Sequence, residues 1–119
     1  RESMNNIEQE LFNRVKTHLL NQGAKAVTEV VSDGINMCQY HAESGLKCAV
    51  GCLIDDNAYD FSMEGEDIND DLVYNALRKS GIDMSNKTLS ILRALQHIHD
   101  SYEPSEWSES IDRVEMQLA

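Results

Sequence analysis

Positive charge is scarce in this chain: 10 lysines and arginines stand against 21 acids, for a formal net charge of −11. A surface short of bases argues against direct nucleic-acid binding, where Lys and Arg neutralise phosphates. Long apolar runs are missing too. None approaches the ~20 residues a membrane span needs, and no signal-peptide pattern follows Met4. There is no Gly-rich phosphate loop, no GxSxG and no HExxH. No internal repeat or low-complexity tract divides the chain. The cysteines number three, an odd set that does not suit the paired disulfides of a secreted domain. They are read as reduced thiols in a cytosol.

What remains is enough for one domain with a core: 119 residues, 41% of them hydrophobic. Arg1-Glu2-Ser3 reads as a tag remnant, which leaves a single domain over 4–119. Ile7, Leu11, Val15 and Leu19, widened by Phe12 and Leu20, predict a first helix. Asn5 or Asn6 is placed to cap it, and Gly23 to end it. A second helix is expected after Asp67 or Asn69, with Ile68, Leu72, Val73, Ala76 and Leu77 inward and Arg78 and Lys79 in its last turn. Ser85 caps a third, with the stripe Thr88, Ile91, Leu92, Leu95, Ile98 and Tyr102. Pro104 breaks it, and Ser105 opens a fourth, with Trp107, Ile111, Val114 and Leu118 inward.

Between the first two helices the pattern is extended. Residues 24–31 suit a strand or a short helix, and Ser32-Asp33-Gly34 signals a turn. The runs 35–41 and 46–54, either side of Ser44-Gly45, predict a small β-hairpin. The second run has a helical alternative from Cys48, because Ala49, Gly51 and Leu53 are weak strand formers. The expected fold is therefore α+β and mostly α: four or five helices packed with a small β-hairpin.

The stretch 38–52, CQYHAESGLKCAVGC, holds every cysteine and one of the four histidines. Cys38, His41, Cys48 and Cys52 form the alternative reading of a zinc site. Their spacing is not that of the usual zinc motifs. On a strand, positions 38 and 41 point to opposite faces, whereas 48 and 52 share one. The favoured reading is small residues in a close-packed core, with no metal and no cofactor. A cysteine nucleophile paired with His41, His97 or His99 is disfavoured by the acidic, apolar setting. His97 and Asp100, three apart on a helix, could share a proton or a metal. The acidic loop does not fit an EF-hand: from Asp55 the sixth residue is Asp60, where glycine is required.

The motif CQY-x4-GLKCAVGCLI-DD-x2-Y, then MEG, then LSILRALQHIHD with Trp107 seven residues on, resembles a family of small bacteriophage and bacterial proteins with no assigned reaction. The resemblance spans about residues 7 to 118. It implies a small protein of phage type, acting in the cytoplasm of a bacterial host. Arg often stands in the family where this chain has His41, and the third cysteine is not always kept. Both departures weigh against zinc.

Two classes of function follow. The first is an interaction protein that inhibits or modulates a host or defence factor. Its acidic surface, Asp55, Asp56, Tyr59, Asp60, Phe61, Glu64, Glu66, Asp67, Asp70 and Asp71, would dock on a basic host protein. Acidic mimicry of DNA is a lesser variant. The second is an enzyme or small-ligand binder built from Tyr40, His41, Cys48, His97, His99 and Asp100. The first is favoured, with no catalytic residue assigned. The oligomeric state is left open.

Overall fold

The computed structural model describes residues 4–30, 35–42 and 44–118, with the side chains of 27–30 and 35–38 excepted. The Ser32-Asp33-Gly34 turn therefore lies outside the described residues. Among the described residues, four α-helices carry the fold: α1 (Asn6–Gln22), α2 (Asp71–Lys79), α3 (Asn86–Ser101) and α4 (Trp107–Leu118). None of them is long and apolar enough to cross a membrane.

α1 begins in a capping box. The Asn5 side chain accepts from the Glu8 N–H at 2.8 Å, and the Glu8 carboxylate accepts from the Asn5 N–H at 2.9 Å. Gly23 ends the helix in the left-handed region, φ 61°, where only glycine sits without strain. The inward face is Glu8, Phe12, Val15 and Leu19. Ile7, expected inside, is 60% exposed.

α2 is capped by Asp70, not by Asp67 or Asn69. Its buried face is Val73, Ala76 and Leu77. Ile68 is buried ahead of the helix, and Leu72 is 48% exposed. α3 follows expectation: Ser85 caps it, and Thr88, Ile91, Leu92, Leu95 and Ile98 are buried, joined by His99. Pro104–Glu106 forms a 3-10 turn that runs directly into α4, so Ser105 does not cap that helix. Instead the Glu103 N–H donates to the Glu106 carboxylate at 3.0 Å. Trp107 and Ile111 enter the core, and Val114 and Leu118 pack at its edge.

The α+β expectation is overturned. No strand occurs among the residues whose side chains are described, and the 35–41/46–54 hairpin is not formed. A short antiparallel ladder does exist, β1 (Val27–Val30) with β2 (Ile35–Cys38), Val27 facing Cys38 and Val30 facing Ile35. It joins 27–30, not 46–54, to the 35–38 run. The second arm makes one isolated bridge, His41 to Lys47, and then becomes a 3-10 turn, Gly51–Leu53.

The reason is physical. The backbone groups that a partner strand would need are taken by side chains. Gln22 accepts from the Lys47 N–H (3.0 Å) and donates to its carbonyl (2.9 Å), to which His18 Nε2 also donates (2.8 Å). Gln96 accepts from the Val50 N–H at 3.1 Å. Coiling also buries Val50, Leu53 and Ile54 almost completely. Each such side chain contributes roughly 1.5–3 kcal/mol, more than a marginal two-stranded hairpin offers. The segment becomes a plug, and its residues join those of all four helices in one buried cluster.

Candidate functional site

The plug positions the acidic loop. Glu64 pins that loop to the Tyr40–His41 segment just ahead of the plug. Its Oε1 accepts from the Tyr40 N–H (2.8 Å), and its Oε2 from the His41 N–H (3.0 Å) and the Tyr59 hydroxyl (2.6 Å). The Tyr40 hydroxyl donates in turn to the Glu66 carbonyl. Tyr59 stacks on His41, with ring centroids 4.3 Å apart and 14° between planes. His41 Nε2 lies 2.9 Å from the Gly51 carbonyl, which can only accept, so Nε2 carries a proton. Burial, then the bond to Glu64, pushes the Tyr59 hydroxyl up from its ordinary value. Burial does the same to Tyr40.

The ten residues of the expected acidic surface divide by what they touch. Glu64 and half-buried Tyr59 face inward, as above. Asp60 caps the 3-10 turn Phe61–Met63 by accepting from the Ser62 N–H (2.9 Å) and hydroxyl (2.8 Å), and these bonds hold its carboxyl below the usual range. Asp67 accepts from the Ile68 N–H at 2.6 Å, and Asp70 from the Leu72 N–H at 2.9 Å. Asp56 reaches Lys47 at 3.4 Å. Asp55, Glu66 and Asp71 are exposed. Phe61 is 75% exposed. Its chain neighbours Asp60 and Ser62, with Met63, Leu72 and Lys79, line a groove of about 350 Å³ between loop and α2.

The sulfur-bearing stretch is placed differently. Cys38 lies outside the described side chains. Cys48 Sγ accepts from the Gly51 N–H at 3.3 Å, and the Cys52 thiol donates to the Ala49 carbonyl at 3.1 Å. Burial pushes both thiols up, Cys52 to about 12, so neither is a thiolate near neutrality. With His41 engaged by Gly51 and Tyr59, each described member of the suggested zinc set has other partners. Among the described residues, no group of three His, Cys, Asp or Glu side chains is placed to hold a metal.

The residues of the ligand-binder reading are partly brought together. Tyr40, Cys48, His97 and Asp100 line one cleft of about 380 Å³, while His41 and His99 do not. His97 does not pair with Asp100; its Nδ1 lies 3.3 Å from the Ser101 hydroxyl. Asp100 instead meets its neighbour, with Oδ1 2.8 Å from His99 Nδ1. His99 is fully buried, and its Nε2 accepts from the Ala26 N–H at 3.0 Å. The proton therefore sits on Nδ1 and is donated to Asp100. The ring stacks on Trp107 at 5.5 Å. His99 is thus a structural joint between α3, α4 and the chain ahead of β1.

Sequence reasoning missed Glu64 as a clamp, Gln96 as a backbone partner and Arg93 as a wall of the cleft. Comparison of the chain with protein-family models, curated protein sequences and solved structures finds no match.

Proposed function

We propose that the protein acts by binding another protein, one with a basic surface, and performs no reaction of its own. Phe61 carries this reading. Its ring is 75% exposed on a loop that is pinned by Glu64, and Leu72 is 48% exposed on α2, the helix that the Phe61–Met63 turn packs against. An aromatic side chain held out on a fixed loop that also carries the exposed acids Asp55, Asp60 and Glu66 has the make-up of a docking anchor: an apolar centre accompanied by negative charge. The net charge of −11 would speed encounter with a cationic partner and make it salt-sensitive.

Among the described residues, Cys48 and Cys52, with thiols pushed up, and the fully bonded His99 supply no nucleophile and no proton relay. Mimicry of DNA ranks lower, because Glu64 spends both carboxylate oxygens on the Tyr40 and His41 N–H groups and the Tyr59 hydroxyl and does not extend a row of free charges. In the setting the resemblance implies, the partner is a host or defence factor in the bacterial cytoplasm.

The test is capture by the immobilised chain from bacterial extract. The reading expects a partner that elutes as salt rises and that is lost from a Phe61→Ala, Leu72→Ala variant. Full retention by that variant, or indifference to salt, contradicts it.

A further inference from the structure

The cleft beside the plug is separate from the groove between loop and α2, yet it shares the acidic loop as one wall. Its floor is apolar and buried: Cys48, Val50 and Ile68 are each no more than 5% exposed. Carboxylates stand on two sides, Glu66 and Asp67 from the loop and Asp100 from α3. One fixed cation, Arg93, lies on the rim, its Nη2 donating to Asn69 Oδ1. His97 and Gln96 complete the α3 side, and Gln96 Nε2 donates to Asp100 at 2.9 Å. Three carboxylates against one guanidinium leave the lining net negative, inside a molecule that is itself strongly anionic.

About 380 Å³ falls at the low end of the roughly 300–1,000 Å³ of ligand pockets. That is room for a side chain. The occupant must offer methylenes to the floor and positive charge to walls on two sides. A guanidinium does both: its stem is apolar, and its five N–H donors spread in a plane wide enough to meet carboxylates from opposite directions.

We propose that this cleft receives an arginine side chain of the protein's partner. The inference rests on the docking reading for the source of that arginine. It adds a second anchor point, distinct from Phe61, with the opposite chemistry.

The experiment is an amide NMR titration of the full chain with N-acetyl-arginine methylamide, with the neutral isostere N-acetyl-citrulline methylamide alongside. The arginine probe is expected to give weak but saturable shifts at the Val50, Ile68 and Gln96 amides, and the citrulline probe none. Glu66→Gln with Asp67→Asn should weaken the probe about fivefold, the scale of two part-exposed ion pairs. Both changes leave the fold's own bonds in place, since Glu66 serves through its carbonyl and asparagine keeps the oxygen that meets the Ile68 N–H. Arg93→Gln should tighten it. Phe61→Ala should leave it unchanged, so that the probe reports on the cleft whatever becomes of partner capture. Absent saturation, equal shifts from citrulline, or an affinity indifferent to both charge changes overturns the inference.

Discussion

Gly51 lies against the backbone of Tyr40 so closely that a Cβ at position 51 would stand 1.9 Å from the Tyr40 carbonyl oxygen. The obstructing atoms are main chain and cannot rotate away. This approach lets the plug lie side by side with the Tyr40–His41 segment that the Glu64 clamp holds.

Gly51→Ala must therefore push the two backbone segments away from each other. The expected loss is about 3 kcal/mol or more, in the range of severe core disruption, and the variant should unfold at much lower urea or fail to accumulate. A change in stability below about 0.5 kcal/mol would show that the approach is not as close as described.

Glu64→Gln removes a carboxylate that accepts three hydrogen bonds. An amide replaces one acceptor oxygen with an NH2 that faces a backbone N–H. The half-buried setting keeps the expected cost to about 1–3 kcal/mol. Amide exchange should locate it: faster exchange at Tyr40 and His41, with α1 and α3 unaffected. Uniform acceleration would mean that Glu64 supports the whole fold and not the loop alone.

His99→Phe keeps a ring against Trp107 but leaves the Ala26 N–H without its acceptor. An orphaned buried donor costs about 1–3 kcal/mol. The chain has a single tryptophan, so its fluorescence reports the change of neighbour directly. Unaltered stability in His99→Phe would show that water satisfies Ala26.

Alkali should weaken the fold. Tyr40, Tyr59, Cys48 and Cys52 are all pushed up by burial. Their ordinary values, 9.0 for the thiols and 10.0 for the phenols, are those of the unfolded chain, which loses these protons first. Stability from them is complete below about pH 9 and declines as pH rises from there toward the folded values. The urea midpoint should fall between roughly pH 9 and 11, and less steeply in Tyr40→Phe. A level midpoint across that window would contradict the burial of these groups.

Local signals in the sequence were dependable where one side chain decides the outcome. Ser85 capping α3 and Gly23 ending α1 are of this kind. α2 was misplaced because Asp67, Asn69 and Asp70 are all competent caps, and spacing alone does not choose among them. Ile7 and Glu8 exchanged faces for a distant reason: Glu8 is held inward by Asn5 and lies 3.3 Å from the Ser85 hydroxyl at the start of another helix. The hairpin failed on the same ground. What coils 46–54 is Gln22, 25 residues before Lys47, and Gln96, 46 residues after Val50. Such partners leave no periodic trace. Of the candidate surface, the exposed acids and Phe61 were legible as composition. The Glu64 clamp was not, because a carboxylate spent on backbone N–H groups looks in sequence like any other acid.

On this reading the chain divides into a dry, sulfur-bearing scaffold and an acidic face that meets the partner. Alkylation of the native protein at pH 8, mapped by peptide mass, tests this division most directly. Cleavage after Lys47 separates Cys38 from Cys48 and Cys52. Cys48 and Cys52 are expected to stay unmodified until the chain is unfolded. Rapid labelling of either one in the folded protein would make it a reactive thiol and contradict the scaffold role.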